Sequence, residues 1–217
     1  MELLSGLPPA DVRLVLSRSR RRKFRRGEVI FHEGDPADAL HLIMSGRVAV
    51  RVATPLGDAA TLDLVGPGDV VGEQALLPPA GPRSATTIAL EPTETMALSA
   101  SDFAALRSEH PAVDGVLLAL LARRNRSLAA RLAEALYSSA ETRVLRRLLE
   151  VAALYDDDAD GDGAVVLLTQ DDLAGLAGTT RETVNRVLRK EAESGALDLA
   201  RGRVTVRDRA SLERRAR

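Results

Sequence analysis

Between Phe24 and Leu98 the chain is cut into short pieces by glycines 27, 34, 46, 57, 66, 68, 72 and 81. The pieces alternate, as in Val48-Ala49-Val50-Arg51-Val52 and Thr61-Leu62-Asp63-Leu64-Val65. A two-residue period between regularly spaced turn glycines describes many short antiparallel strands, and it favours a jelly roll or small barrel over an open parallel sheet. With 217 residues, 45% hydrophobic and 28% charged, the chain has room for one large domain or two small ones, and a disordered or fibrous protein is excluded.

The flanks of this segment read as helix. Residues 3–17 carry Leu3, Leu4, Leu7, Val12, Val15 and Leu16 at helical spacing around Pro8-Pro9, where proline suits a first turn. After the cap Ser101-Asp102 the pattern stays helical to about Val151, interrupted near Pro111 and at Ser138-Ser139. Val113, Val116, Leu117, Leu120, Leu121, Leu128, Leu132 and Leu136 form one apolar stripe, flanked by Arg123, Arg124, Arg126 and Arg131. The stripe either packs on the barrel or pairs with a second copy as a coiled coil, and pairing is the expectation. The acidic run 156–163 partly matches a calcium loop, with Asp158, Asp160, Asp162 and Gly163 in place. Thr169 stands where the bidentate Glu belongs, so the run reads as a solvated turn.

From Leu168 to Lys190 the chain reads as two short helices joined at Gly178. Thr169 caps the first with Asp172 three residues on; Thr179 or Thr180 caps the second, where Thr179 and Glu182 would form a capping box. On a helical wheel Arg181, Glu182, Asn185, Arg186 and Arg189 fall within about 140 degrees, opposite Val184, Val187 and Leu188. That is the amphipathic recognition helix of a helix-turn-helix, with Arg181, Glu182 and Arg186 as base readers and Arg189 and Lys190 as phosphate contacts. The segment Ala196–Val206, with Arg201-Gly202-Arg203 at its turn, resembles a small wing.

Charge and cysteine usage narrow the class. The net charge of -1 gives no overall basic excess. From Leu173 onward there are 11 basic and 6 acidic residues, a balance of +5, which leaves 19 and 25, or -6, for the rest. With Cys 0 there is no disulfide, zinc–thiolate site, iron–sulfur cluster or cysteine nucleophile. His32, His41 and His110 read as ordinary strand or loop residues rather than haem ligands, and no metal is expected. The longest apolar run, Val116 to Ala122, falls far short of the roughly 18 residues of a membrane span, and Met1-Glu2-Leu3-Leu4 does not begin a signal peptide. A cytoplasmic protein without membrane contact is expected. The basic run Arg18, Arg20, Arg21, Arg22, Lys23, Arg25 and Arg26 reads as a solvated face or a contact for an acidic surface.

Gly72-Glu73-Gln74-Ala75-Leu76-Leu77 is followed after a proline-rich turn by Arg83-Ser84-Ala85. Read alone, Glu73 and Arg83 are a charged pair across a loop. A buried Arg beside a hydroxyl and free backbone N–H groups, however, clamps a phosphate, and a nearby carboxylate holds a ribose hydroxyl. At these residues, and again at Arg181-Glu182-Thr183-Val184 followed by Arg186, the sequence resembles transcription regulators of the Crp–Fnr type. The resemblance covers nearly the whole chain. It implies an α+β protein of three parts: an N-terminal jelly-roll cyclic-nucleotide domain (1–110), a dimerisation helix (111–137) and a C-terminal winged helix-turn-helix (138–217). It implies a ligand site of Gly72, Glu73, Arg83, Ser84 and Ala85, with Glu73 on the ribose 2′-hydroxyl and Arg83 and Ser84 on the cyclic phosphate. In cyclic-AMP receptors of this family a Thr-Ser pair on the long helix meets the adenine, and equal spacing places Leu128 and Ala129 there. Neither offers a side-chain hydrogen bond, so the pocket binds cyclic AMP by phosphate and ribose alone, takes cyclic GMP, or binds another nucleotide. Cyclic AMP ranks ahead of cyclic GMP.

The expected protein is therefore a homodimeric, ligand-controlled regulator of a pseudo-palindromic operator in double-stranded DNA, with RNA polymerase as partner if it activates. Its rivals are a ligand-independent DNA-binding protein with the barrel as scaffold and a cupin-like metal enzyme.

Overall fold

The first sheet orders its strands β1-β8-β3-β6 and the second β2-β7-β4-β5, so sequence neighbours are dealt between two facing sheets. The strands are β1 (Arg20–Phe24), β2 (Val29–Phe31), β3 (Ala39–Ser45), β4 (Val48–Ala53), β5 (Ala59–Val65), β6 (Val70–Val71), β7 (Thr86–Ala89) and β8 (Thr93–Ser99). The pairings of β1 with β8, β3 with β6 and β8, and β7 with β2 and β4 are all antiparallel, which is the expected jelly roll. The structure, a computed structural model, describes residues 9–53, 59–77, 79, 81–155 and 164–217. It divides into two compact units, residues 1–57 with 63–128, and residues 58–62 with 129–217. The acidic run 156–163, and the calcium-loop comparison made for it, lie outside the described residues.

In the first unit, helix α1 (Pro9–Arg18) precedes the barrel, and α2 (Ala100–Glu109) follows it, capped by Ser99, whose hydroxyl accepts from the Asp102 backbone N–H. Alternation along the strands fills the interior with Ile43, Val48, Val50, Val65, Val71 and Ala85. A second cluster joins Leu40, Leu42, Val70 and Leu98 to Phe103 and Leu106 of α2 and to Val113, Leu117 and Leu120 of α3 (Ala112–Tyr137). The apolar stripe of α3, read from sequence as one surface, is thus divided. Val113, Leu117 and Leu120 are buried on the barrel, while Leu128, Leu132 and Leu136 are 58%, 61% and 66% exposed. The part of α3 from Ala129 onward belongs to the second unit.

The basic run falls on β1, an edge strand whose Arg20, Arg21, Arg22 and Lys23 are exposed, and Glu94 of β8 takes Arg21 at 2.5 Å. Among the described residues no helix is long and apolar enough to cross a membrane.

The second unit is built on α4 (Ala140–Ala153), capped by Ser139, with Val144, Leu145, Leu148, Val151 and Ala152 buried along one face. Around it pack α5 (Gln170–Ala177), α6 (Arg181–Glu193) and α7 (Arg209–Arg215). A three-stranded sheet has the order β10-β11-β9, from β9 (Val165–Val166), β10 (Leu197–Ala200) and β11 (Arg203–Val206). The wing hairpin was legible; β9 is two residues long and carries no periodicity to read. The closing helix α7, capped by the Asp208 side chain, was also missed.

His41, on β3, is 6% exposed, lies between the rings of Phe24 and Phe31 at 6.1 and 6.0 Å, and sits 3.1 Å from Thr95 Oγ1. Burial, then the cations Arg83 and Arg22, push it down to about 4 against a smaller opposing pull from Asp38. The unfolded chain therefore takes a proton below about 6.5 that the folded barrel refuses until about 4. Stability should fall as pH drops through that window, by about 3 kcal/mol in all, and level off below it. Denaturant titrations at intervals from pH 7 to pH 4 should show this component in the parent protein and its absence in His41→Gln.

Candidate ligand pocket and nucleic-acid interface

The pocket forms where β6 ends and the chain turns through a single 3₁₀ turn, Glu73–Leu76. Gly72 opens that turn at φ 76°, and a Cβ there would stand 2.4 Å from Arg83 Nη1 and 3.1 Å from the Ala39 carbonyl oxygen. Backbone and packing both demand glycine. Arg83 is 4% exposed. Its Nη2 donates to Asp38 Oδ1 at 2.9 Å, its Nη1 to the Gly72 carbonyl at 3.3 Å, and its guanidinium lies 4.1 Å over the Phe31 ring. Burial lowers its pKa from the usual arginine value, opposed mainly by Asp38. Among the described residues its Nε has no partner. The sequence reading that set Glu73 against Arg83 as a loop ion pair is corrected: Glu73, also buried, lies 3.4 Å from Arg124 Nε of α3. The two charges are buried beside one cavity, each with another partner, because α3 and the segment before β3 both close on this turn.

The cavity is small and open to solvent, with a volume of about 60 Å³. Gly72, Glu73, Arg83, Ser84 and Ala85 all line it, together with Phe31, Ala37, Val50, Val71, Gln74, Pro82, Thr87 and Arg124. Leu128 and Ala129 are exposed on α3 and are not among the lining residues. Sequence reasoning missed Asp38, Thr87 and Arg124. Arg124 stood in the arginine group beside the apolar stripe, and what separates it from Arg123 is its partner, Glu73 rather than Asp69. The lining combines a cation, a carboxylate, a hydroxyl and an apolar wall, a set that suits an anionic ligand with hydroxyl groups.

In the second unit the helix-turn-helix is fixed by its caps. Thr169 and Asp172 form the expected capping box on α5, and Gly178 ends α5 at φ 58° in the left-handed region. Arg143 of α4 holds this turn, donating to the carbonyls of Ala177 at 2.8 Å, Gly178 at 3.1 Å and Ser138 at 2.7 Å. On α6 the cap is Thr180, whose hydroxyl accepts from the Thr183 backbone N–H, so the Thr179–Glu182 capping box does not form. The helix begins one residue later than that box requires. Glu182 is held below the usual carboxylate range by its own backbone N–H, then by the Thr180 hydroxyl, and it faces solvent as an anion.

Val184, Val187 and Leu188 are buried at 0%, 2% and 1%, while Arg181, Glu182, Arg186, Arg189 and Lys190 are all exposed on the opposite side. Arg181 lies 3.7 Å from Asp171, and Lys190 Nζ is 2.5 Å from Glu141 Oε1. Between the start of α6 and the wing runs a groove whose polar lining includes Gln170, Arg181, Asn185, Arg201 and Arg203.

Both sites have counterparts in known proteins. Residues 21–110 match the family model of the cyclic nucleotide-binding domain, and residues 142–215 match the Crp-like helix-turn-helix domain. The chain belongs to the Crp–Fnr family of transcription regulators. It is similar to the cyclic AMP receptor protein of Thermus thermophilus, 41% identical over 211 residues that cover 97% of this chain and 94% of the relative. The CRP-like cAMP-activated global transcriptional regulator of Mycobacterium tuberculosis is 36% identical over 221 residues, covering 99% and 96%. The crystal structure of the Thermus thermophilus catabolite activator protein superposes with a TM-score of 0.58 at 41% identity, covering 100% of this chain and 98% of that one. A metal enzyme is thereby set aside in favour of a regulator.

If Thr180 is the cap of the regulator's recognition helix, Thr180→Ala should cost about 1 kcal/mol of stability and Thr179→Ala only a few tenths. Denaturant titration of the two variants checks the assignment.

Proposed function

We propose that this Crp–Fnr regulator acts as a homodimer whose barrel binds a cyclic nucleotide, cyclic AMP ahead of cyclic GMP, and thereby controls binding to a pseudo-palindromic operator. The observation that carries the reading is Arg83: a buried cation with an unpartnered Nε at a cavity that also holds Ser84 and the buried carboxylate of Glu73. Arg83 and Ser84 take the cyclic phosphate and Glu73 the ribose 2′-hydroxyl, with Arg124 steadying Glu73. The names of the Thermus and Mycobacterium relatives support a cyclic nucleotide as effector.

Exposed leucines on α3 support the dimer. Leu118, Asn125 and Leu132 recur at seven residues, with Leu128 exposed beside them, so the helix carries an exposed apolar seam with one polar position, while Leu121 packs against the barrel core. A two-fold pair of such helices would present two copies of α6 to successive major grooves about 34 Å apart. Arg181, Glu182 and Arg186 read base edges, and Arg189 and Lys190 hold phosphates. The three parts 1–110, 111–137 and 138–217 then serve as sensor, dimer helix and DNA reader. A ligand that favours the DNA-competent arrangement shifts the population toward it by its difference in affinity.

Titration calorimetry with cyclic AMP and cyclic GMP should give saturable binding to the parent protein, weakened about a hundredfold or more in Arg83→Ala. Operator affinity that is equal with and without nucleotide and unchanged in Arg83→Ala would favour the scaffold reading instead. On DNA, Arg181→Ala should lose about 1–3 kcal/mol of discrimination at one position of each half-site. Lys190→Ala should weaken all sequences alike and flatten the salt dependence by about one phosphate contact. Uniform loss in both variants would overturn the division into readers and phosphate contacts.

A further inference from the structure

Thr87 points inward from β7 and is 1% exposed. Strand pairing sets it between Phe31 of β2 and Val50 of β4, in the middle of an apolar rung of the cavity wall. Among the described residues its hydroxyl has no hydrogen-bond partner. The other inward threonines of the barrel differ: Thr93 donates to the Glu91 carbonyl at 2.9 Å, and Thr95 meets His41 Nδ1 at 3.1 Å. An unsatisfied buried hydroxyl costs free energy that a valine of nearly the same shape would not. Among the described residues of the first unit, the buried side-chain atoms without a partner are Arg83 Nε and Thr87 Oγ1, and both residues line this one cavity.

We infer that Thr87 is a ligand-recognition residue, which supplies a hydrogen bond to the base of the bound cyclic nucleotide. The inference rests on the nucleotide reading above and deepens it. Ser84, at the phosphate end, precedes Thr87 by three residues, a separation of at most about 10 Å, so a nucleotide anchored at Arg83 and Ser84 carries its uncharged part over the rung of Phe31, Thr87 and Val50. That rung is apolar except for the one hydroxyl, and Leu128 and Ala129 of α3 offer the base no side-chain hydrogen bond. The hydroxyl is covered by its neighbours, and an ordinary step between staggered χ1 rotamers turns it to the ligand.

The test is calorimetric titration of the full-length protein, Thr87→Val and Thr87→Ser with cyclic AMP and with cyclic GMP, alongside thermal melting without nucleotide. Thr87→Val should melt at or above the parent temperature and bind the preferred nucleotide about tenfold more weakly. Thr87→Ser should stay within about threefold of the parent. Equal binding by the parent and Thr87→Val overturns the role of Thr87 and leaves the nucleotide reading standing. A lower melting temperature for Thr87→Val also overturns it, because the hydroxyl would then be satisfied within the fold. A parent protein that binds neither nucleotide removes the nucleotide reading and this inference together.

Discussion

A guanidinium that is 4% exposed is the feature around which the barrel's cavity is arranged. Burying a cation is costly unless other groups compensate it, and Arg83 finds them on three segments far apart in sequence: Asp38 before β3, the Gly72 carbonyl after β6 and the Phe31 ring on β2. The compensation is incomplete. The Asp38 side chain is 83% exposed, so solvent screens its attraction, and Nε of Arg83 stays unpartnered. A positive charge held in place, with hydrogen-bonding capacity left over and an apolar wall beside it, favours an anion with an attached ring system. The glycine at 72 follows from the same burial, since any side chain there would collide with the guanidinium.

The DNA-reading half achieves stiffness by other means. Recognition helix α6 is seated on its valines and Leu188, and its buried Glu191 pairs with Arg215 of α7. Arg146 of α4 donates to the carbonyls of Ala216 at 2.8 Å and Arg217 at 3.2 Å, and Arg143 grips the turn between α5 and α6. These links join α4 to the turn between α5 and α6 and to the carbonyls that follow α7. The ion pairs of Arg181 with Asp171 and of Lys190 with Glu141 are on the surface and therefore weak.

Much of this was legible in the chain because it depends on neighbours. Alternation with turn glycines announced the strands, and serine, threonine and aspartate announced the starts of α4, α5 and α6, whereas α2 is capped by Ser99, two residues before the cap read at Ser101-Asp102. The back of α6 followed from the spacing of Val184, Val187 and Leu188. The cap of α6 shows the limit of such reading. Thr179 and Thr180 are chemically equal candidates, and only the backbone path after Gly178 selects the second. The stripe on α3 shows it again, since its period is continuous and its burial is not.

By itself, then, the sequence determined most of the elements, their order and the polar face of the recognition helix, because each is set by interactions a few residues long, while the cassette of Gly72, Glu73, Arg83, Ser84 and Ala85 was identified by its resemblance to a family. Only the tertiary structure decided that Arg83 pairs with Asp38, 45 residues away, that Glu73 meets Arg124, and that Thr87 is buried with nothing to bond. Those outcomes depend on which strands pair and which part of α3 packs on the barrel, and no local period encodes either.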